Sequence, residues 1–158
     1  KGIRIHMGSI TIRAYMPTDW DRLEAIHDTA RKMELRFAGV DDAFIPLKEA
    51  AVLEGLFDYS LRVALMDGEV VGFVAYTEDE LAWLYTHPAH MRKGIGKALI
   101  SYVLEHSKRP LRIEVLQGNA PAIALYESMG FHTVKLLSGA MSGNECFQVT
   151  AHCMERQE

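Results

Sequence analysis

The chain has 158 residues, 49% of them apolar, which suits one globular domain and is short for two. A formal net charge of −4 argues against a general nucleic-acid binder, and no apolar run is long enough to span a membrane. We therefore expect one domain over residues 7–158, in the cytoplasm, with no nucleic-acid or membrane partner. Residues 1–6 are interpreted as a remnant of the expression vector, with the native start at Met7.

The two cysteines support the same location. Cys146 and Cys153 fall in one predicted strand and are an odd number of positions apart, so they should point to opposite faces. We expect free thiols in a reducing compartment.

The N-terminal third predicts one strand followed by two helices. Residues 9–15 alternate apolar and polar side chains, as a strand does. Thr18 is the expected cap of a helix whose apolar stripe runs from Trp20 to Met33 and is interpreted as core. After a loop over residues 39–45, Pro46 suits the first turn of a second helix.

The remainder predicts six strands and two further helices. Asp67-Gly68 suits the turn of a hairpin. The expected strands are 61–66, 70–77, 81–87, 111–116, 131–137 and 145–154, the helices are 94–108 and 119–129, and a loop is expected at 139–143. The order β-α-α-β-β-β-α-β-α-β-β indicates an α/β fold: a mixed central sheet of about six to seven strands with helices on both faces. The helical crossover should make strands 81–87 and 111–116 parallel.

A glycine-rich turn follows the strand at 81–87. Gly94-Ile95-Gly96 opens a helix, and Arg92, Lys93 and Lys97 surround it with positive charge. Unpaired N–H groups at a helix start favour anions, and glycines let an anion come close. The segment therefore indicates a diphosphate site.

Three kinds of phosphate loop could resemble this turn. A P-loop needs four residues between its glycines, and a dinucleotide fingerprint needs a small residue where Leu99 stands. Residues 91–96 instead resemble the acyl-CoA signature of the GNAT superfamily, Gln/Arg-x-x-Gly-x-Gly/Ala. Met91 departs from it, because a methionine side chain cannot donate a hydrogen bond.

A second motif resembles the same family. Residues 119–131 match Asn-x-x-Ala-x-x-x-Tyr-x-x-x-Gly-Phe, with Asn119, Ala122 and Tyr126 in place. Asn119 and Tyr126 are two helical turns apart and share a face. Alone, either residue could be a helix cap or a core residue; the two motifs together favour the family.

The resemblance implies a GNAT (acyl-CoA N-acyltransferase) fold and an enzyme that moves an acetyl group from acetyl-CoA to a primary amine of a small molecule, peptide or protein, by direct attack in a ternary complex. His87 and His90 have HxxH spacing, but no third ligand stands nearby and Pro88 breaks the helical geometry, so no metal is expected. By position, the resemblance implies that the cofactor is bound by Leu84, Tyr85, Thr86, Arg92, Lys93, Gly94, Ile95, Gly96, Lys97, Ala98, Asn119, Ala122 and Tyr126.

Acetyl transfer needs a base, oxyanion donors and an acid. The resemblance implies Glu80, fourteen residues before Gly94, as base, although Glu78, Asp79 or a chain of waters could serve. It implies the N–H groups of residues 84–86 as donors and the Tyr126 phenol as acid. A non-catalytic acyl-CoA sensor is the alternative function.

Three further expectations concern surfaces. Asp41, Asp42 and Phe44 could form an acceptor lip, although a solvated loop is favoured, and residues 138–144 could form the opposite wall. A homodimer is possible, because an edge strand such as 145–154 would otherwise be exposed.

Overall fold

The computed structural model describes residues 9–157, so the expected start at Met7 and the residues before it lie outside the described part. The strands are β1 (Ile10–Ala14), β2 (Ser60–Met66), β3 (Glu69–Tyr76), β4 (Leu81–Thr86), β5 (Leu111–Leu116), β6 (His132–Met141) and β7 (Asn144–Arg156). The helices are α1 (Trp20–Phe37), α2 (Leu47–Leu53), α3 (Ile95–His106) and α4 (Ala120–Ser128). The predicted order of strands and helices is confirmed.

The strands form two antiparallel sheets that meet along β4 and β5. The first has the order β1-β2-β3-β4 and the second β5-β7-β6. Within residues 9–157 a single parallel bridge, Glu80 to Arg112, joins them. The predicted parallel arrangement is therefore present at one point, beyond which β4 and β5 diverge and leave a gap.

Helices cover both faces of the first sheet, as predicted. Phe73 packs with Leu23 of α1, whereas the next residue, Val74, packs with Leu99 of α3. β3 is therefore buried on both faces, and each fully buried aliphatic or phenyl side chain contributes roughly 1.5–3 kcal/mol. Gly72 lets α3 approach, because a Cβ there would lie 3.0 Å from Ile95 Cγ2.

The start of α1 differs from the prediction. The residue before the helix is Asp19 rather than Thr18. The Asp19 carboxylate accepts hydrogen bonds from the Met16 N–H, at 2.8 Å, and from both terminal nitrogens of Arg13, at 2.7 and 2.9 Å. Thr18 cannot cap α1 because it lies inside a 3₁₀ turn, Pro17–Asp19, that precedes the helix. The Arg13–Asp19 ion pair links β1 to this turn.

The C-terminal hairpin corrects two predictions. The expected loop at 139–143 is a turn at Ser142-Gly143, because β6 continues to Met141. Gly143 takes the left-handed conformation, with φ +80°. The expected exposed edge, β7, is the middle strand of its sheet, because β5 and β6 pair on either side of it. The exposed edge is β6.

Both cysteines lie in this hairpin. Cys146 and Cys153 belong to β7 and are free thiols, as predicted. Among the described helices, none is long and apolar enough to cross a membrane.

Candidate active site

A cavity of about 530 Å³ lies at the gap between β4 and β5. It is bounded by α1, by the end of α2, by both diverging strands, by the start of α4 and by the tip of the β6–β7 hairpin. The predicted site residues in its wall are Glu80, Leu84, Tyr85, Thr86, Gly96, Asn119, Ala122 and Tyr126. The structure therefore brings together the predicted acid, base and carbonyl-binding strand, which lie far apart in the sequence.

The other predicted residues form the glycine-rich turn at the edge of this cavity. Gly94 has φ +84° and Arg92 φ +64°, both left-handed. The first bond of α3 is from the Ala98 N–H to the Gly94 carbonyl, at 3.0 Å. Within the described chain, the six consecutive N–H groups of residues 92–97 find no backbone or side-chain acceptor in hydrogen-bonding geometry. Such a run of free donors is a cradle for an anion.

The charges around the cradle suit a diphosphate. Arg92, Lys93 and Lys97 are exposed, whereas the Ile95 side chain is buried and anchors the turn. Ala98 is half-buried. At Gly96 a Cβ would lie 3.0 Å from Leu125 Cδ2, so this glycine also brings α3 against α4.

The backbone of β4 offers donors to the gap on alternate residues. The His87 N–H donates to the Val71 carbonyl of the β3 segment, at 2.9 Å. Because antiparallel pairing alternates, Tyr85 also bonds towards β3, whereas Leu84 and Thr86 direct their N–H groups to the gap. The prediction that the Tyr85 N–H would face the thioester is therefore wrong. It is the Tyr85 side chain that lines the cavity.

The Tyr126 phenol lies in the wall of the cavity and is 4% exposed. Its ring packs edge-to-face on Phe131, with ring centres 5.5 Å apart. Burial raises the pKa of Tyr126 well above its usual value, and the nearby Glu34 and Tyr85 side chains raise it further. A phenol is protonated at neutral pH even at its ordinary pKa of about 10, so Tyr126 carries the proton that a general acid donates.

Asn119 has protein partners for both ends of its amide. Its Oδ1 caps α4 by accepting from the Ala122 N–H, at 3.3 Å, and its Nδ2 donates to Glu34 Oε2, at 3.5 Å. The side chain is almost completely buried. The Asn119 side chain thus links α4 to α1, and its expected contact with the cofactor stays a prediction.

Glu80 is the only one of the three candidate acids that lines the cavity, within the part of the chain described here. Its N–H donates to the Thr77 hydroxyl, at 3.1 Å, which fixes the start of β4. Glu78 pairs with Lys108, at 3.3 Å, and Asp79 with Arg112, at 3.4 Å. Those two acidic side chains are engaged outside the cavity.

Sequence analysis missed the polar residues that α1 contributes. His27, Arg31 and Glu34 line the cavity, at intervals of four and three residues that place them on one helical face. Arg31 donates to Glu34 Oε1, at 3.1 Å. Burial raises the pKa of Glu34, opposed by the Arg31 charge, and burial lowers the pKa of His27. The feature of the sequence that could have revealed these residues is the oppositely charged pair Arg31 and Glu34, three positions apart beside the apolar stripe of α1.

The loop that carries Asp41, Asp42 and Phe44 does not form an acceptor lip, in agreement with the favoured expectation of a solvated loop. Asp41 lies 4.0 Å from Arg36, Phe44 stacks under Lys32, and neither they nor Asp42 line the cavity. The opposite wall matches expectation in part, because Met141, Ser142 and Asn144 of the hairpin tip do line it.

Asn144 holds this hairpin tip in place. Its Nδ2 donates to the Ala43 carbonyl, at 3.0 Å. Glu54 at the end of α2 also reaches the turn, since a Cβ on Gly143 would lie 3.0 Å from its Oε2.

The two histidines with HxxH spacing lie close together. The rings of His87 and His90 have centres 6.1 Å apart. Across residues 9–157, no group of three or more His, Cys, Asp or Glu side chains is arranged to hold a metal ion.

Comparison with known proteins agrees with this geometry. The acetyltransferase (GNAT) domain profile matches residues 58–133, which include both the glycine-rich turn and the segment from Asn119 to Tyr126. A solved structure of a GCN5-related N-acetyltransferase from Rhodopseudomonas palustris superposes with a TM-score of 0.75 over 99% of this chain and all of that one, at 19% identity. Residues 58–133 form a GNAT domain. The two sheets, seven strands and four α-helices of residues 9–157 form the GNAT fold.

Two curated GNAT relatives come from Escherichia coli. Peptidyl-lysine N-acetyltransferase YiaC is 45% identical over 69 residues, which are 43% of this chain and 47% of YiaC. The uncharacterized N-acetyltransferase YafP is 28% identical over 132 residues, 82% of this chain and 85% of YafP. The match to YiaC thus spans about half of that protein.

Proposed function

We propose that this GNAT domain is an acetyl-CoA-dependent N-acetyltransferase that acts on a primary amine of a small molecule, peptide or protein. The observation that carries the proposal is the convergence of free N–H groups on the two sides of one cavity. Residues 92–97 present the donors that a diphosphate needs, and Leu84 and Thr86 present donors to the gap. A long ligand with a diphosphate at one end and amide groups along its arm fits both.

Acetyl-CoA supplies an activated acyl group when it is bound. The residues of the chain then have three tasks. Glu80 accepts a proton from the acceptor ammonium, because an alkyl ammonium with a pKa of about 10.4 is not a nucleophile. The N–H groups of Leu84 and Thr86 stabilise negative charge on the carbonyl oxygen. Tyr126, which carries its proton at neutral pH because the ordinary pKa of a phenol is about 10, donates a proton to the leaving sulfur.

A chain of waters leading out of the cavity could act as the base instead of Glu80. The two hypotheses predict different pH–rate profiles for the Glu80→Gln variant. If Glu80 is the base, the limb along which activity rises with pH disappears in this variant. If that limb is unchanged, Glu80 is not the base. Glu78→Gln is the matched control, because Glu78 pairs with Lys108 outside the cavity.

A non-catalytic acyl-CoA sensor is the second candidate function. Such a domain would bind the cofactor through the same backbone groups but would need neither an acid nor a base. The buried Tyr126 phenol and the Glu80 carboxylate in the cavity wall favour the enzyme.

One experiment separates the two functions. Purified protein is titrated with coenzyme A by calorimetry and then assayed for thiol release from acetyl-CoA with a library of amines. Binding with amine-dependent thiol release supports the enzyme. Binding without release from any amine supports the sensor, and the absence of binding heat contradicts both.

We also propose a homodimer formed through the exposed edge of β6. Leu136 and Leu137 on this strand are 53% and 43% exposed, and an unpaired edge with apolar side chains is a template for pairing with a second copy. The free cysteines of β7 fit our proposal of a reducing cytoplasmic location.

A further inference from the structure

Because β4 diverges from β5, the two halves of the proposed active site are not held together by sheet hydrogen bonds. Tyr126 lies on α4, which follows β5, whereas the donors of Leu84 and Thr86 lie on β4. The only ladder contact between the two strands, among the described residues, is the bridge from Glu80 to Arg112 at one end of the gap. Something other than sheet hydrogen bonds must therefore fix the distance between phenol and donors.

A half-buried polar network on α1 reaches across the gap. The Glu34 carboxylate accepts from Arg31 at Oε1, at 3.1 Å, and from Asn119 at Oε2, at 3.5 Å. Asn119 in turn caps α4 through the Ala122 N–H. On the other side of the gap, the Tyr85 ring of β4 packs edge-on against His27 of α1, with ring centres 4.9 Å apart. α1 thus contacts both sides of the cavity, α4 through Glu34 and β4 through His27.

A second, independent contact holds the start of α4 against α1. Gly118, with φ +99°, is so close to the end of α1 that a Cβ would lie 2.5 Å from the Phe37 carbonyl oxygen. The turn before α4 is therefore fixed on α1 at Phe37 and at Glu34. Because Asn119 and Tyr126 lie on one rigid helix, a shift at the first residue moves the second.

We propose that Glu34 is a positioning residue, which holds the start of α4 across the gap and so places the Tyr126 phenol opposite the donors of β4. This inference rests on the proposed function, in which Tyr126 is the acid. Glu34 touches neither substrate nor the reacting atoms in this role; it acts through Asn119.

The proposal is tested by exchanging the carboxylate of Glu34 and the amide of Asn119. Asn119→Asp places two carboxylates face to face and should lower kcat by up to about 10²-fold, the cost of a small misplacement, with little change in the KM for acetyl-CoA. The double variant E34Q/N119D restores the contacts, because the introduced glutamine amide can accept from Arg31 and donate to the introduced aspartate, which also caps helices. We expect the double variant to recover most of the lost kcat. Glu24→Gln, the same change elsewhere on α1, is the control and should match the wild type.

The pH profile adds a signature that a purely structural role would not produce. The titratable groups that face the phenol are Glu34 of α1, paired with Arg31, and Tyr85 of β4. The Glu34 charge helps to raise the pKa of Tyr126, so Glu34→Gln should move the alkaline limb of kcat to lower pH. The double variant, which keeps one carboxylate, should move it back.

A second readout needs no turnover. In protein labelled with ¹³C-tyrosine, the Tyr126 resonance, assigned with Tyr126→Phe, should shift in Asn119→Asp and return in the double variant. If the double variant is no better than Asn119→Asp, and the resonance is unmoved in both, the proposal is overturned. If wild-type protein acetylates no amine but the resonance responds as expected, the proposed function fails and the positioning by Glu34 stands.

Discussion

Gly94→Ala tests the anion cradle most directly. Gly94 has φ +84°, and a Cβ added there meets no atom within 4 Å. The change therefore introduces no clash, and its cost is the left-handed backbone alone, about 1–2 kcal/mol for a residue with a side chain. Gly68, in the β2–β3 turn, has φ +78° and equally open surroundings. The two substitutions should cost similar stability, at about 2–4 °C in Tm for each kcal/mol.

Only the change at Gly94 should affect coenzyme A. The backbone can relieve the strain by rotating the peptide that carries the Ile95 N–H away from the diphosphate. A hydrogen bond to a charged group contributes about 1.5–3 kcal/mol, so its loss should raise Kd roughly 10- to 150-fold. Calorimetric titration with coenzyme A and thermal unfolding of both variants provide the measurements. If Gly94→Ala binds coenzyme A as tightly as Gly68→Ala, the turn is not the diphosphate site.

Three more predictions follow from contacts described above. Tyr126→Phe should lower kcat about 10²-fold with little change in the KM for acetyl-CoA, and a kcat like that of the wild type would remove its role as acid. The Arg13 guanidinium lowers the pKa of Asp19, so the pair stabilises the fold above the carboxyl's unfolded pKa and loses this effect as pH falls through its folded pKa. Urea unfolding should therefore show Asp19→Asn to be less stable than the wild type at neutral pH, with the difference shrinking in acid; a constant difference would contradict the linkage. Leu137→Lys should shift the protein towards monomer in sedimentation, and an unchanged sedimentation coefficient would exclude β6 as the dimer interface.

Local patterns predicted most of the fold. Continuous, partly β-branched apolar runs located β2 and β3, and Asp67-Gly68 located the turn between them, because these signals depend on neighbours in sequence. The extent of β6 could not be read this way. Gly139 suggests a loop, yet the residue lies in a strand because pairing with Val149 of β7 overrides its weak local preference.

The residues of the candidate site likewise fall into those that a local motif predicts and those that depend on contacts distant in sequence. The glycine-rich turn and Tyr126 were predictable, because each belongs to a contiguous motif. Glu34 and the second partner of Asn119 were not, because the contact joins residues 85 positions apart and no local pattern reports it. The direction of the Tyr85 N–H depends on the register between β4 and β3. The sequence of β4 alone does not determine this register.

Beyond the bridge at Glu80, β4 has a hydrogen-bonded neighbour on one side only, and this affects which of its residues can change during evolution. A strand that lacks a neighbour on one side presents to a ligand the same peptide groups that it would present to another strand. An amide-bearing arm lying in the gap would therefore complete the sheet, and its recognition would depend on main-chain atoms common to every residue. Leu81 and Trp83 are held by the core, but the half-buried side chains of β4 in the cavity wall can vary with the acceptor while the arm continues to bind in the same place.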